Sequence, residues 1–201
     1  MTKYIDSIRK EFNSPSFPVF TLRDVRVLLN GSRISPRYLK VLVNGLIKRR
    51  EILRIASGVY TFHDELTVVG FAYRPFYYGM EDALSYSNLW NQLANPVVMT
   101  ANVVREGIRK FDGANYVVKR IAPRFFFGFN FIRHYEVWMP VSDPEKTLID
   151  MVYFRHHIDD GVRAALRKSL DRAKLSGYLD TYPHWVKAEV ERAVGIRLTG
   201  R

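Results

Sequence analysis

Residues 35–62 read SPRYLKVLVNGLIKRREILRIASGVYTF, and this stretch restricts the fold more than any other in the chain. Ser35 is a favoured helix N-cap, and Pro36 falls at the first helical position, where a missing N–H does no harm. Ile34 and Leu39 take the two positions of a hydrophobic staple across that cap. Leu39, Leu42, Val43 and Leu46 then recur at helical spacing as a buried stripe, which leaves Arg37, Lys40, Asn44 and Lys48 on the opposite face. After the basic KRR at 48–50, EILRI and VYTF are short runs of apolar, β-branched and aromatic residues around ASG. A glycine between two such runs predicts a β-hairpin.

Two more helices are expected upstream. Ile5, Ile8 and Phe12 share one face of a helix that ends before SPSFP. Thr21 can cap another, in which Leu22, Val25, Leu28 and Leu29 keep the helical spacing and Asn30-Gly31 is the stop. Helices joined by short turns, the last of them basic on its outer face and followed by a hairpin, make a winged helix-turn-helix over residues 1–66. In such a module the third helix enters the major groove of double-stranded DNA, and the wing and helix ends hold phosphates. That geometry assigns base reading to Arg37, Tyr38, Lys40 and Asn44. It assigns phosphate contacts to Arg33, Ser35, Lys48, Arg49, Arg50, Arg54 and Ser57.

The charge distribution agrees with a basic module of that extent. The 201-residue chain carries a formal net charge of +11. Residues 1–62 hold 12 Lys or Arg against 4 Asp or Glu, a net of +8, and residues 63–201 hold 19 against 16, a net of +3. Such an excess favours a polyanionic partner, nucleic acid or an anionic membrane surface. The membrane is the weaker choice, because the helices that carry the charge need their apolar faces for a small core. The chain has no cysteine, so a disulfide framework and a thiolate metal site are both excluded. No run approaches the roughly 18 apolar residues of a membrane span, and the N-terminus lacks a signal-peptide pattern, so a cytoplasmic location is expected.

Residues 67–201 are expected to form an α+β domain, joined to the first by a packed junction near FHDELTVVGFAYRPF. YYGMEDALSYSNLW predicts a helix with Met80, Ala83, Leu84 and Ser87 on one face. PVVMTANVV, NYVVKRIA, RFFFGFNFI and YEVWMP predict an antiparallel or mixed sheet of about four strands. SDPEKTLIDMVYFRHHI predicts a helix capped by Ser142 with Glu145, or by Asp143 with Pro144 at the first position. The remainder reads as a helical tail. RFFFGFNFI is expected as a core strand, with partner docking or base stacking as the other readings of its aromatics.

An enzyme finds little support in these residues. Asp143, Glu145, Lys146 and Asp150 crowd one segment, as carboxylates and a lysine do in a metal-dependent nuclease. Capping accounts for the first two, and Lys146 with Asp150 reads as an ordinary helix-surface pair. His156-His157 cannot share a helical face, and no metal or cofactor site is expected.

SGVYTF closing a winged helix, then YYGMEDALSY, then SDPEKTLIDMVY with a helical tail, resembles in order the AbiEi-type antitoxins of abortive-infection (type IV toxin–antitoxin) systems. The resemblance covers about residues 5–160. It implies an N-terminal winged helix that binds inverted repeats in its own promoter, with two molecules pairing on the DNA. It also implies a C-terminal domain that counters a nucleotidyltransferase-like toxin. Arg33, Arg37, Lys40 and Arg54 match the DNA-facing part of that winged helix. The alternatives are a module that docks protein and, less favoured, a nuclease.

Overall fold

The computed structural model describes residues 2–30, 34–89, 95–134 and 137–197. Local capping chemistry sets where its first helices begin. Helix α1 spans Thr2–Phe12. Strand β1, Phe20–Thr21, leads directly into α2, Leu22–Leu28. Thr21 and Asp24 close a reciprocal capping box at that junction, each side chain bonding the other's backbone N–H. Helix α3, Pro36–Lys48, starts at Ser35, whose hydroxyl accepts the Tyr38 N–H. Strands β2, Leu53–Ala56, and β3, Val59–Thr61, follow as the hairpin, and Gly58 takes a positive φ of 76° in its turn. This small sheet has three strands in the order β1-β3-β2, one more than the hairpin foreseen in the sequence.

These elements close over one core. Ile5, Ile8 and Phe12 from α1 meet Phe20, Val25, the α3 stripe of Leu39, Leu42, Val43 and Leu46, and Ile52 and Tyr60 from the hairpin region. Phe12 stacks on Phe20 with ring centroids 4.8 Å apart. Glu51 ties the outside together by accepting from both Arg9 of α1 and Arg49 at the end of α3.

The chain then turns tightly over Leu66–Tyr73 and enters a mixed sheet. Strand β4 is Phe76–Gly79, and helix α4, Met80–Tyr86, starts at its end. Strands β5 Val97–Thr100, β6 Gly107–Phe111, β7 Ala114–Arg120, β8 Phe129–His134 and β9 Val137–Ser142 follow. The order across the sheet is β6-β7-β5-β4-β9-β8. Strand β4 pairs parallel to β9 and β5 parallel to β7, and the remaining pairs are antiparallel. Among the described residues the sheet therefore has six strands where four were expected, and the fold is α+β.

Two of the expected elements change form. Tyr77 and Tyr78 are strand residues, so the helix read from YYGM begins only at Met80, and Ser87 lies beyond its end and is exposed. RFFFGFNFI is not one strand: Phe125 sits in a short turn of 3₁₀ helix, fully buried, and the strand begins at Phe129.

Helices α5 Pro144–Tyr153, α6 Asp160–Ser169, α7 Arg172–Leu179 and α8 His184–Val194 cover one face of the sheet. Tyr77, Val97 and Met99 point to that side, joining Leu148, Ile149 and Met151 of α5 in the largest core cluster. Phe76, Tyr78 and Val98 point to the other, with Val68, Val69 and Phe71 of the tight turn. This is the two-residue alternation of a sheet covered on both faces. Gly70 is needed there, because a Cβ would lie 2.2 Å from the Phe76 ring. The hairpin reaches the same layer: Ile55 belongs to that cluster, and Tyr116 of β7 donates a buried hydrogen bond to the Ile55 carbonyl.

Candidate nucleic-acid interface

The outer surface of α3 is set by its phase against the core. Burying Leu39, Leu42, Val43 and Leu46 leaves Arg37, Lys40, Val41 and Asn44 exposed along one side. None of these four side chains has a hydrogen bond or ion pair among the described residues. Val41, 51% exposed, stands on this side too and is absent from the face read in the sequence. An exposed methyl-bearing side chain between polar ones is what a thymine methyl contact requires.

Three of the four acids of residues 1–62, all but the exposed Glu11 of α1, are engaged by other groups. Asp6 and Glu51 pair with Arg9, Glu51 also takes Arg49, and Asp24 belongs to the capping box. The guanidinium groups of Arg49 and Arg9 hold the Glu51 carboxyl below its ordinary range. The charged residues on the exposed side of α3 are the cations Arg37, Lys40 and Lys48, with no carboxylate in the helix itself.

The structure does not bring all the residues assigned to DNA into equivalent positions. Tyr38 is half-buried and packs against the three-helix core. Ser35 Oγ is occupied by the Tyr38 N–H, its carbonyl accepts the Leu39 N–H, and Pro36 has no N–H. Of the first-turn donors, Arg37's N–H alone is not accounted for by these groups. Arg49 is tied to Glu51 at 2.5 Å. Arg54 Nε donates to the Ala56 carbonyl at 3.2 Å, within its own hairpin. Lys48, Arg50 and Ser57 are exposed, Ser57 at the hairpin turn and Arg50 with a positive φ of 57° just past α3. Arg33 lies outside the described residues.

The carboxylate cluster of α5 takes a different form from the surface pair expected. Lys146 and Asp150 are both fully buried. Lys146 Nζ donates to Asp150 Oδ1 and to the Tyr77 hydroxyl at 2.8 Å, and that hydroxyl donates to Asp150 Oδ2 at 2.7 Å. The reason is that α5 is covered on every side, its residues from Glu145 to Val152 being buried between the sheet and the helical tail. Burial pushes the Asp150 carboxyl up and the Lys146 ammonium down, against the attraction between them. Asp143 with Pro144 is the cap, bonding the Lys146 N–H, and the Ser142/Glu145 box does not form. Glu145 instead accepts the Asp171 N–H at 2.7 Å, and Lys174 bridges Asp143 and Glu145. Among the described residues no three His, Asp or Glu side chains converge as metal ligands, and no helix is long and apolar enough to cross a membrane.

No family model matches the sequence, and no curated protein sequence does either. Among solved structures the fold is similar to that of the RV2827C protein from Mycobacterium tuberculosis, known from a crystal structure. The TM-score is 0.65 at 10% sequence identity, over 96% of this chain and 75% of that one. The likeness is one of fold.

Proposed function

We propose that the chain is a cytoplasmic, sequence-specific DNA-binding regulator whose first 66 residues act as a winged helix-turn-helix and whose remainder supplies protein contacts. The observation that carries this reading is the outer face of α3, where Arg37, Lys40, Val41 and Asn44 stand exposed with no carboxylate partner among the described residues. Arginine and asparagine offer the forked hydrogen bonds that read guanine and adenine edges, and Lys48, Arg50 and the hairpin tip at Ser57 flank them toward the phosphates. The engagement of Asp143, Glu145, Lys146 and Asp150 with one another and with the backbone supports a structural role for that cluster over a nuclease centre.

The resemblance of SGVYTF, YYGMEDALSY and SDPEKTLIDMVY to AbiEi-type antitoxins supports a narrower form of the proposal. In that form the protein binds an inverted repeat in its own promoter as a pair of molecules, and its C-terminal part counters a nucleotidyltransferase-like toxin. Fluorescence anisotropy on duplexes tiling the DNA upstream of its gene, at two salt concentrations, tests the first half. One tile binding preferentially, with a steep loss of affinity at higher salt, is the expected result. Equal binding of every tile removes the sequence-specific reading. Co-expression with any nucleotidyltransferase-like product encoded alongside tests the second half, with restored growth expected.

A further inference from the structure

We propose that the cleft between the end of α5, α6 and α8 binds a small phosphorylated ligand carrying a flat ring, in chemical class a nucleoside phosphate. The site shares no residue with α3 or the hairpin. Its cavity volume is about 850 Å³, within the ~300–1,000 Å³ typical of small-molecule sites. Val152, Ile158 and Val194 give it an apolar part, and Arg155, Arg163, Arg167 and Arg192 outnumber the carboxylate Glu189 along its wall, beside His156 and His157. A second hollow of about 480 Å³ shares Arg163 and Arg167 and adds Lys168, so the basic lining continues along α6.

The arginines are not all in use. Arg163 pairs with Asp160, whose side chain is 95% exposed, and also donates to the Ile158 carbonyl at 3.1 Å, and Arg192 pairs with Glu189 one turn earlier on α8. Exposed pairs of this kind are weak and exchange readily for a stronger anion. Arg155 and Arg167 have no side-chain partner among the described residues. A guanidinium fork matches phosphate oxygens two at a time, which makes phosphate the anion this lining fits best.

Arg155 also sits where the backbone favours glycine. Its N–H bonds the Val152 carbonyl at 3.0 Å and the His156 N–H bonds the Met151 carbonyl at 2.8 Å, closing a Schellman turn at the end of α5. That turn places Arg155 at a φ of 51°, a left-handed conformation that a side chain adopts at a cost. An arginine in a left-handed position that favours glycine, lining a cleft with three more, fits a contact to an anion. The flat ring is inferred from Trp185, which lines the cleft 45% exposed and stacks on Tyr153 at an interplanar angle of 17°. A tryptophan braced by a second ring is a platform for a base.

Calorimetric titration of the full chain with ATP, tripolyphosphate and adenosine separates the two parts of the site. ATP is expected to bind saturably, and the Arg37→Ala/Lys40→Ala variant is expected to bind it equally, which assigns the binding away from α3. Arg155→Gly and Arg167→Ala should each weaken ATP roughly tenfold. The glycine fits the left-handed turn, so Arg155→Gly should unfold at a temperature no lower than the parent. Trp185→Leu should weaken ATP and leave tripolyphosphate unchanged. Absence of saturable ATP binding, equal ATP affinity in the parent and both arginine variants, or displacement of ATP by polyglutamate as readily as by tripolyphosphate would each overturn the assignment.

Discussion

Lys146 and Asp150 show how far a residue's surroundings can depart from its type. In sequence they are four apart on a helix and read as a solvated pair, yet both are sealed under the tail with Tyr77 completing a three-membered network. Removing one member strands a charge in a dry interior, a loss of about 3–5 kcal/mol, whereas removing both charges together costs much less. Urea unfolding of Lys146→Met, Asp150→Leu and the double variant checks this, with the double variant the more stable of the three expected.

Asp82, in the first turn of α4, is a second such residue. It is buried with Oδ2 unpartnered, and burial raises its carboxyl from an ordinary 3.8 to about 7. The folded chain then holds a proton that the unfolded chain has already released. Its stability is therefore greatest below the unfolded value and falls as pH rises toward about 7. Asp82→Asn is expected to flatten that slope and to stabilise the protein at about pH 8, measured by urea denaturation across the interval.

At the scale of elements, what was legible was what local chemistry decides. Thr21 and Ser35 are the caps that the sequence predicts, and at α5 Asp143 with Pro144 is the one of its two alternatives that forms, because a cap involves only neighbouring residues. The hairpin at 53–61 was legible for the same reason. Strand β4 was not. It is buried on both faces, so its FYYG lacks the alternation that marks a half-exposed strand, and it runs straight into a helix. Strand β6 was missed because Ile108 and three neighbouring positions are exposed or half-exposed at the edge of the sheet.

Helix ends were harder still. Both α3 and α5 finish in Schellman turns, but with Arg50 and Arg155 in the left-handed position in place of glycine. No residue pattern announces such an end. Arg50→Gly should therefore stabilise the fold by up to about 1 kcal/mol, as read from its unfolding curve. If Arg50 holds a phosphate, the same change should weaken DNA binding on all sequences and reduce the salt slope by about one.

Across the whole molecule, charge is sorted by place. Asp6, Asp24 and Glu51 are engaged by Arg9, Arg49 and a helix cap, and the charged residues on the exposed stripe of α3 are cations. The hairpin behind it is anchored, not loose: Tyr116 fixes the Ile55 carbonyl and pairs with Tyr73, both hydroxyls buried in the sheet's second core layer. Under the proposed reading, a hairpin held this way gives α3 a rigid neighbour, which is what discrimination between base pairs needs. The stripe itself was visible in the sequence, since helical phase gives Arg37, Lys40 and Asn44 directly. Its limits were not, because the exposure of Val41 and the inward turn of Tyr38 depend on how α1 and the hairpin pack.

The central claim is that this stripe reads sequence, and the most direct measurement is anisotropy of the Arg37→Ala/Lys40→Ala protein beside the parent on the preferred duplex and on a scrambled one. The account predicts a loss of about 1–3 kcal/mol per base contact on the preferred duplex and a much smaller loss on the scrambled one. Equal losses on both duplexes, or none on either, would contradict it.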